Sequence, residues 1–197
     1  MTLSTKIKIL EQATSSQWLE QALASMDTVL LDHSHCEKKA ASVAINMMFR
    51  YPAHRSLVRQ LTAIAKEELE HFEQVNQWLD RKNIKITALN SPPYGKELKS
   101  QIRHQEPDRL LDSLLVSALI EARSHERLGL LGEHCPEPEL AKFYRGLMAS
   151  EARHYGIYWV LATEYCDRTL VDQRLAELSH FESQILSNLY PEPRIHS

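Results

Sequence analysis

Glu68-Leu-Glu-His71 and Glu151-Ala-Arg-His154 decide how this chain folds. Each Glu-x-x-His pair follows a single glutamate at nearly the same distance. Glu37 lies thirty-one residues before Glu68, and Glu121 lies thirty residues before Glu151. On a helix, residues at i and i+3 share a face, so each pair presents a carboxylate and an imidazole together. Two helices giving one glutamate each, and two more giving a Glu-x-x-His, build a two-metal site inside a four-helix bundle.

The pattern exceeds coincidence. The chain has 19 glutamates and 10 histidines in 197 residues, which makes one Glu-x-x-His expected at random. It contains three. The third, Glu177-Leu-Ser-His180, has Gly146 and Leu147 where an accompanying glutamate would stand, so it reads as a solvated surface pair. Glu37, Glu68, His71, Glu121, Glu151 and His154 satisfy partner, spacing and repetition at once.

Working outward, the segments around these residues read as long helices. Met26 to Arg50 is one, ended by Tyr51-Pro52; its apolar row comprises Val29, Leu30, Ala40, Ala41, Ala44, Ile45 and Met48, and it includes His33 and Glu37. A second runs from about Ala53 to Arg81, with Glu68 and His71 within the stripe of Leu57, Leu61, Ile64, Phe72, Val75 and Leu79. The third starts at Pro107-Asp108 and reaches about Leu131, with Glu121 and His125 on its apolar face. The fourth, from about Glu139 to Tyr165, aligns Glu151 and His154 with Phe143, Leu147 and Tyr158. These glutamates point where leucines belong, a costly placement unless a cation waits there. A short amphipathic stretch opens at Ser16, and a helix from about Val171 to Asn188 is expected outside the bundle. Asn83 to Glu106 shows no sustained period and serves as the long crossover such bundles need. The expected fold is all-α: a ferritin-like four-helix bundle with one long crossover and flanking helices. Residues 1–197 form a single domain, with the core at about 26–166 and the C-terminal flanking helix at about 171–188.

Composition agrees. Five glycines and eight prolines are few, and a net charge of −3 excludes neither nucleic acid nor a small molecule as partner. Cys36, Cys135 and Cys166 lack metal-site spacing; they imply free thiols in a reducing, cytoplasmic setting and argue against an attached rubredoxin-type centre. No apolar stretch approaches the ~20 residues that span a bilayer, and Met1 to Lys8 has no signal-peptide core.

Four carboxylates and two imidazoles carry a charge of −4, which balances two divalent ions, and mixed oxygen and imidazole ligation suits iron or manganese. His33, one turn before Glu37, and His125, one turn after Glu121, stand where they could orient a ligand carboxylate. Tyr155 and Tyr158 read as core packing more than channel lining. Two groups of basic residues, Lys38, Lys39, Arg50, Arg55 and Arg59, and Lys96, Lys99 and Arg103, read from spacing alone as solvated helix faces first; they are also the candidate contacts for a phosphate backbone.

Leu31-Asp-His-Ser-His-Cys-Glu-Lys-Lys-Ala-Ala-Ser42, Ile45-Asn-Met-Met-Phe-Arg-Tyr-Pro52, Lys66-Glu-Glu-Leu-Glu-His-Phe72, Glu121-Ala-Arg-Ser-His-Glu-Arg127 and Ser150-Glu-Ala-Arg-His-Tyr155 resemble motifs of the MiaE-like tRNA hydroxylases. The resemblance runs from about Trp18 to Tyr165, with no departure at the six ligand positions. It implies a non-haem di-iron monooxygenase that hydroxylates the isopentenyl side chain of 2-methylthio-isopentenyladenosine in tRNA. Two iron ions would be the cofactor, O₂ the co-substrate, and a separate protein the electron donor. The residues alone leave open a ferritin-like iron-oxidising or storage protein and a di-manganese catalase.

Overall fold

A computed structural model describes residues 7–197, so most of the polar N-terminal stretch lies outside the described residues. Seven helices follow in order: α1 (Ser16–Leu23), α2 (Met26–Arg50), α3 (Arg55–Arg81), α4 (Tyr94–Ser100), α5 (Asp108–His134), α6 (Pro138–Tyr165) and α7 (Arg168–Ile185). No strand occurs among the described residues.

Helices α2 and α3 form one antiparallel hairpin, broken at Tyr51-Pro52, where proline cannot continue a helix. Helices α5 and α6 form the other, turned at Cys135–Glu137 with Pro138 in the first helical turn, where its missing N–H costs nothing. Gly132 lets this second pair approach closely: a Cβ there would stand 2.6 Å from Arg145 Cγ and 3.2 Å from the Arg145 amide.

Two apolar clusters fill the bundle. One gathers Leu57, Leu61, Leu111, Leu114 and Tyr158; the other gathers Leu30, Val75, Leu79, Leu131 and Tyr144. Along α3 the first cluster ends at Ala65 and the second begins at Val75, so Glu68 and His71 fall at the joint. The same holds for Glu37 between Leu31 and Ala44, and for Glu151 and His154 between Leu147 and Tyr158. Fully burying each leucine is worth about 1.5–3 kcal/mol, and these clusters hold the polar layer rigidly between them.

The crossover contains an element that periodicity does not reveal. Helix α4 is only seven residues long, too short to show a period, and it is anchored by Tyr94 and Leu98, one turn apart and both buried. Helix α7 packs on α4 and α5, beginning three residues earlier and ending three earlier than the sequence suggests. A buried network fixes that contact: Arg123 Nη2 lies 2.8 Å from Glu182 Oε2, and the Tyr94 hydroxyl donates to Glu182 at 3.1 Å. On α2, Ile45 is 37% exposed although it shares the apolar row. All three cysteines are free.

Candidate metal centre

Each bundle helix delivers its share of the polar layer. Glu37 comes from α2, Glu68 and His71 from α3, Glu121 from α5, and Glu151 and His154 from α6; all six are between 0% and 7% exposed. They form two overlapping groups, each with ligand atoms within 4.8 Å of one another. Glu37, Glu68, His71 and Glu151 make the first; Glu68, Glu121, Glu151 and His154 make the second. Glu68 and Glu151 belong to both, so two ions held here would share them, and each group would add one further glutamate and one histidine of its own.

The fine geometry fits a cation. His71 Nδ1 stands 3.7 Å from Glu37, from Glu68 and from Glu151, an imidazole facing three carboxylates across a gap too wide for a hydrogen bond. Ligands about 2.1 Å from one ion stand ~3.0 to ~4.2 Å apart, so the gap has the right span. Glu68 Oε1, Glu151 Oε1, His71 Nδ1 and His154 Nδ1 are buried without hydrogen-bond partners, although His154 Nδ1 lies 2.7 Å from Glu68. Buried polar atoms ordinarily find partners, and these four face one another.

Charge crowding says the same. Burial, and then the Glu68 charge, push the Glu121 carboxyl up to about 8, and Glu151 is raised well above the ordinary range by burial and by Glu68 and Glu121. Burial opposes charge on His71, but Glu37 and Glu68 outweigh it and raise the imidazole to about 10. Without a cation the site holds protons in its place.

The outer nitrogens are secured by residues that spacing alone does not single out. His154 Nε2 lies 2.8 Å from Glu67, whose Oε2 also takes Arg153 Nη2 at 2.5 Å. Glu67 precedes Glu68 in sequence, yet it meets the ring of a candidate ligand on another helix, as a carboxylate that orients a metal-binding histidine does. His71 Nε2 lies 3.2 Å from the Ser150 hydroxyl, which itself donates to the Leu147 carbonyl. Both histidines therefore turn Nδ1 toward the carboxylates. His33, stacked on Tyr144 with ring centroids 5.7 Å apart, does contact Glu37 through Nε2. His125 departs from expectation: its Nδ1 lies 2.8 Å from the Met148 carbonyl, clamping α5 to α6. His180 sits away from the layer, 3.0 Å from Glu11 and exposed.

A cavity of about 500 Å³ opens from Glu37, Glu68, Glu121 and Glu151 toward the crossover. Ala40, Val43, Ile120 and Leu128 give it apolar walls, and Lys39, Lys96 and Lys99 line it from the exposed side. Lys39 Nζ donates to Ser91 at 3.0 Å, and partial burial with the nearby Lys39 charge lowers Lys99 from the ordinary lysine range. The other basic candidates do not line this cavity. Lys38 lies over the Phe72 ring, Arg50, Arg55 and Arg59 are exposed elsewhere on α2 and α3, and Arg103 is spent on Asp108 and Asp112. Tyr158 is core, and Tyr155 packs beside His125. Ile195 and His196, far from every motif in sequence, complete the wall.

Comparison with known proteins agrees with this geometry. The chain is 39% identical over 184 residues to the tRNA 2-(methylsulfanyl)-N(6)-isopentenyladenosine(37) hydroxylase of Pseudomonas putida, covering 93% of this chain and 89% of that protein. It is 28% identical to the enzyme of the same name from Salmonella typhimurium, covering 99% and 90% of the two chains. Among solved structures it resembles "Protein 43 with aldehyde deformylating oxygenase activity from Synechococcus", with a TM-score of 0.94, 48% identity, and coverage of 97% and 96%. Residues 1–197 match the family described as "tRNA-(MS[2]IO[6]A)-hydroxylase (MiaE)", and the chain belongs to that family.

Proposed function

We propose that this protein is a di-iron monooxygenase that hydroxylates the isopentenyl group of 2-(methylsulfanyl)-isopentenyladenosine in tRNA. The observation that carries this reading is the opening of the shared Glu68 and Glu151 layer onto an apolar cavity edged by Lys39, Lys96 and Lys99. The names of the two tRNA hydroxylases that the chain resembles support it. Glu37, Glu68, His71 and Glu151 would hold one ion and Glu68, Glu121, Glu151 and His154 the other. Two iron ions held there would, once reduced, provide the oxidising power from O₂ that an unactivated C–H bond demands.

The remaining work falls to the chain. Glu67 and Ser150 fix the two imidazoles, and His33 braces Glu37. The apolar wall receives the prenyl group and keeps water from it. The lysines meet the phosphates, leaving the base to reach inward. Electrons come from a separate donor protein. No described helix is long and apolar enough to cross a membrane.

A second reading, aldehyde deformylation, is favoured by the 48% identity to the Synechococcus protein and by cavity walls that suit an alkyl chain equally well. Lysines at the cavity edge have no use for a neutral aldehyde, which places the tRNA reading first. Mass analysis of tRNA nucleosides from cells with and without the protein tests it. Loss of the hydroxylated base with the protein is the expected result; an unchanged nucleoside profile, with release of formate from a fatty aldehyde by the purified protein, would reverse the order.

A further inference from the structure

The residues after α7 return to the bundle and finish beside the candidate centre. Arg194, Ile195 and His196 are 2%, 1% and 9% exposed. Trp18 Nε1 donates to the Arg194 carbonyl at 2.9 Å, and the Ile195 amide donates to Asp32 Oδ2 at 2.8 Å. Arg127, lying over the Trp18 ring at 4.4 Å, donates to the carbonyls of Ile195 and Ser197. These four hydrogen bonds to α1, α2 and α5 make this segment a fixed wall.

His196 is the part of that wall that meets the cavity in ring form. Its imidazole stacks on Tyr94 of α4, with centroids 5.2 Å apart and planes 11° apart. Nε2 lies 3.1 Å from Ser124 Oγ, one turn after Glu121, and Nδ1 lies 3.8 Å from Cys36 Sγ, next to Glu37. Burial and then the Arg127 charge lower the His196 pKa to about 3, so the ring is neutral and presents an apolar surface. Cys36, Tyr94 and His196 thus form a polarisable corner of the same cavity that Glu37, Glu68, Glu121 and Glu151 line.

We propose that His196 is a specificity-determining residue whose ring, stacked on Tyr94, receives the 2-methylsulfanyl group of the substrate base. The inference rests on the tRNA hydroxylase reading. The prenyl-bearing amine and the methylsulfanyl group sit on the same edge of the adenine, so a base that feeds its prenyl group to the carboxylate layer carries the sulfur into the wall beside it. Thioether sulfur prefers aromatic ring edges, and one such contact is worth roughly two- to tenfold in affinity.

The test compares iron-reconstituted full chain with its His196→Ala, His196→Phe and Ser124→Ala variants. Each acts on tRNA bearing isopentenyladenosine with and without the methylsulfanyl group, under a supplied reductant and O₂. The wild type should favour the methylsulfanyl substrate by about two- to tenfold in kcat/KM. His196→Ala should abolish that preference through KM, with iron content unchanged; His196→Phe should keep most of it, and Ser124→Ala, a mild change should the first variant fail to fold, should reduce it. An unchanged ratio in all three variants, or a wild type without preference, overturns the inference. A wild type that hydroxylates neither tRNA overturns the functional reading beneath it.

Discussion

Glu67→Ala should weaken one metal position and spare the other. Glu67 touches no candidate ion; it reaches His154 Nε2 at 2.8 Å and fixes the direction in which Nδ1 points. Removing a carboxylate that orients a metal-bound histidine costs 10- to 100-fold in metal affinity as a rule, or about 1.4–2.7 kcal/mol. Here the lower end applies, because the Glu67 side chain is 32% exposed, shares its oxygen with Arg153, and water can replace it in part. The expected loss is therefore about tenfold. Glu67→Gln keeps an amide oxygen as acceptor and should lose about threefold or less. Ser150→Ala removes a neutral hydroxyl from His71 Nε2 and should act on the opposite position by a similarly small amount. Anaerobic titration of Fe(II) or Co(II) against a chromophoric chelator resolves two binding steps, and circular dichroism checks the helices. Equal affinities for both steps in wild type and Glu67→Ala would refute the reasoning.

Three further outcomes follow from the same geometry. A Glu68→Ala, Glu151→Ala double variant should lose both ions, since those residues are common to both groups, while His180→Ala should load normally; elemental analysis reads both. The metal-free protein should lose stability as pH rises from about 5 to about 9. Glu121 holds its proton up to about 8 in the folded state against an ordinary 4.5, and His71 up to about 10 against 6.5, so the folded state binds more protons throughout that window. Metal displaces those protons, so the gap in melting temperature between loaded and chelated protein should widen with pH; calorimetry showing a constant gap would contradict this. Neutralising Lys39, Lys96 and Lys99 together should reduce the slope of log affinity for tRNA against log salt by about 2–3 and leave iron content unchanged. Neutralising Arg103 should instead destabilise the fold by leaving the buried Asp112 carboxylate with Arg174 as its remaining ion-pair partner, with the salt slope intact.

Much of this protein is legible from its sequence because the helices that matter are long. Four segments of 25 to 28 residues repeat their apolar period often enough to be recognised, and the same period puts Glu37, Glu68, Glu121 and Glu151 on buried faces. Helix α4 escapes because seven residues hold only two buried positions, Tyr94 and Leu98. Glu67 escapes for a different reason. Its partner, His154, is eighty-seven positions away, and only the packing of α3 on α6 brings them together. His196 likewise lies outside every helix, in a segment whose burial depends on Asp32, Trp18 and Arg127. Arg103 is paired with Asp112, nine residues on, a pairing that charge counting does not reveal.

The central claim is that the paired Glu and His groups direct oxygen from O₂ into the prenyl chain of a tRNA base. The most direct measurement supplies purified, iron-loaded protein with reductant, methylsulfanyl-isopentenyladenosine tRNA and O₂ labelled with heavy oxygen, then weighs the released nucleoside. The account predicts one heavy oxygen atom added to the side chain, and no addition in the Glu68→Ala, Glu151→Ala variant. Oxygen drawn from water, or none added by fully loaded protein, would contradict it.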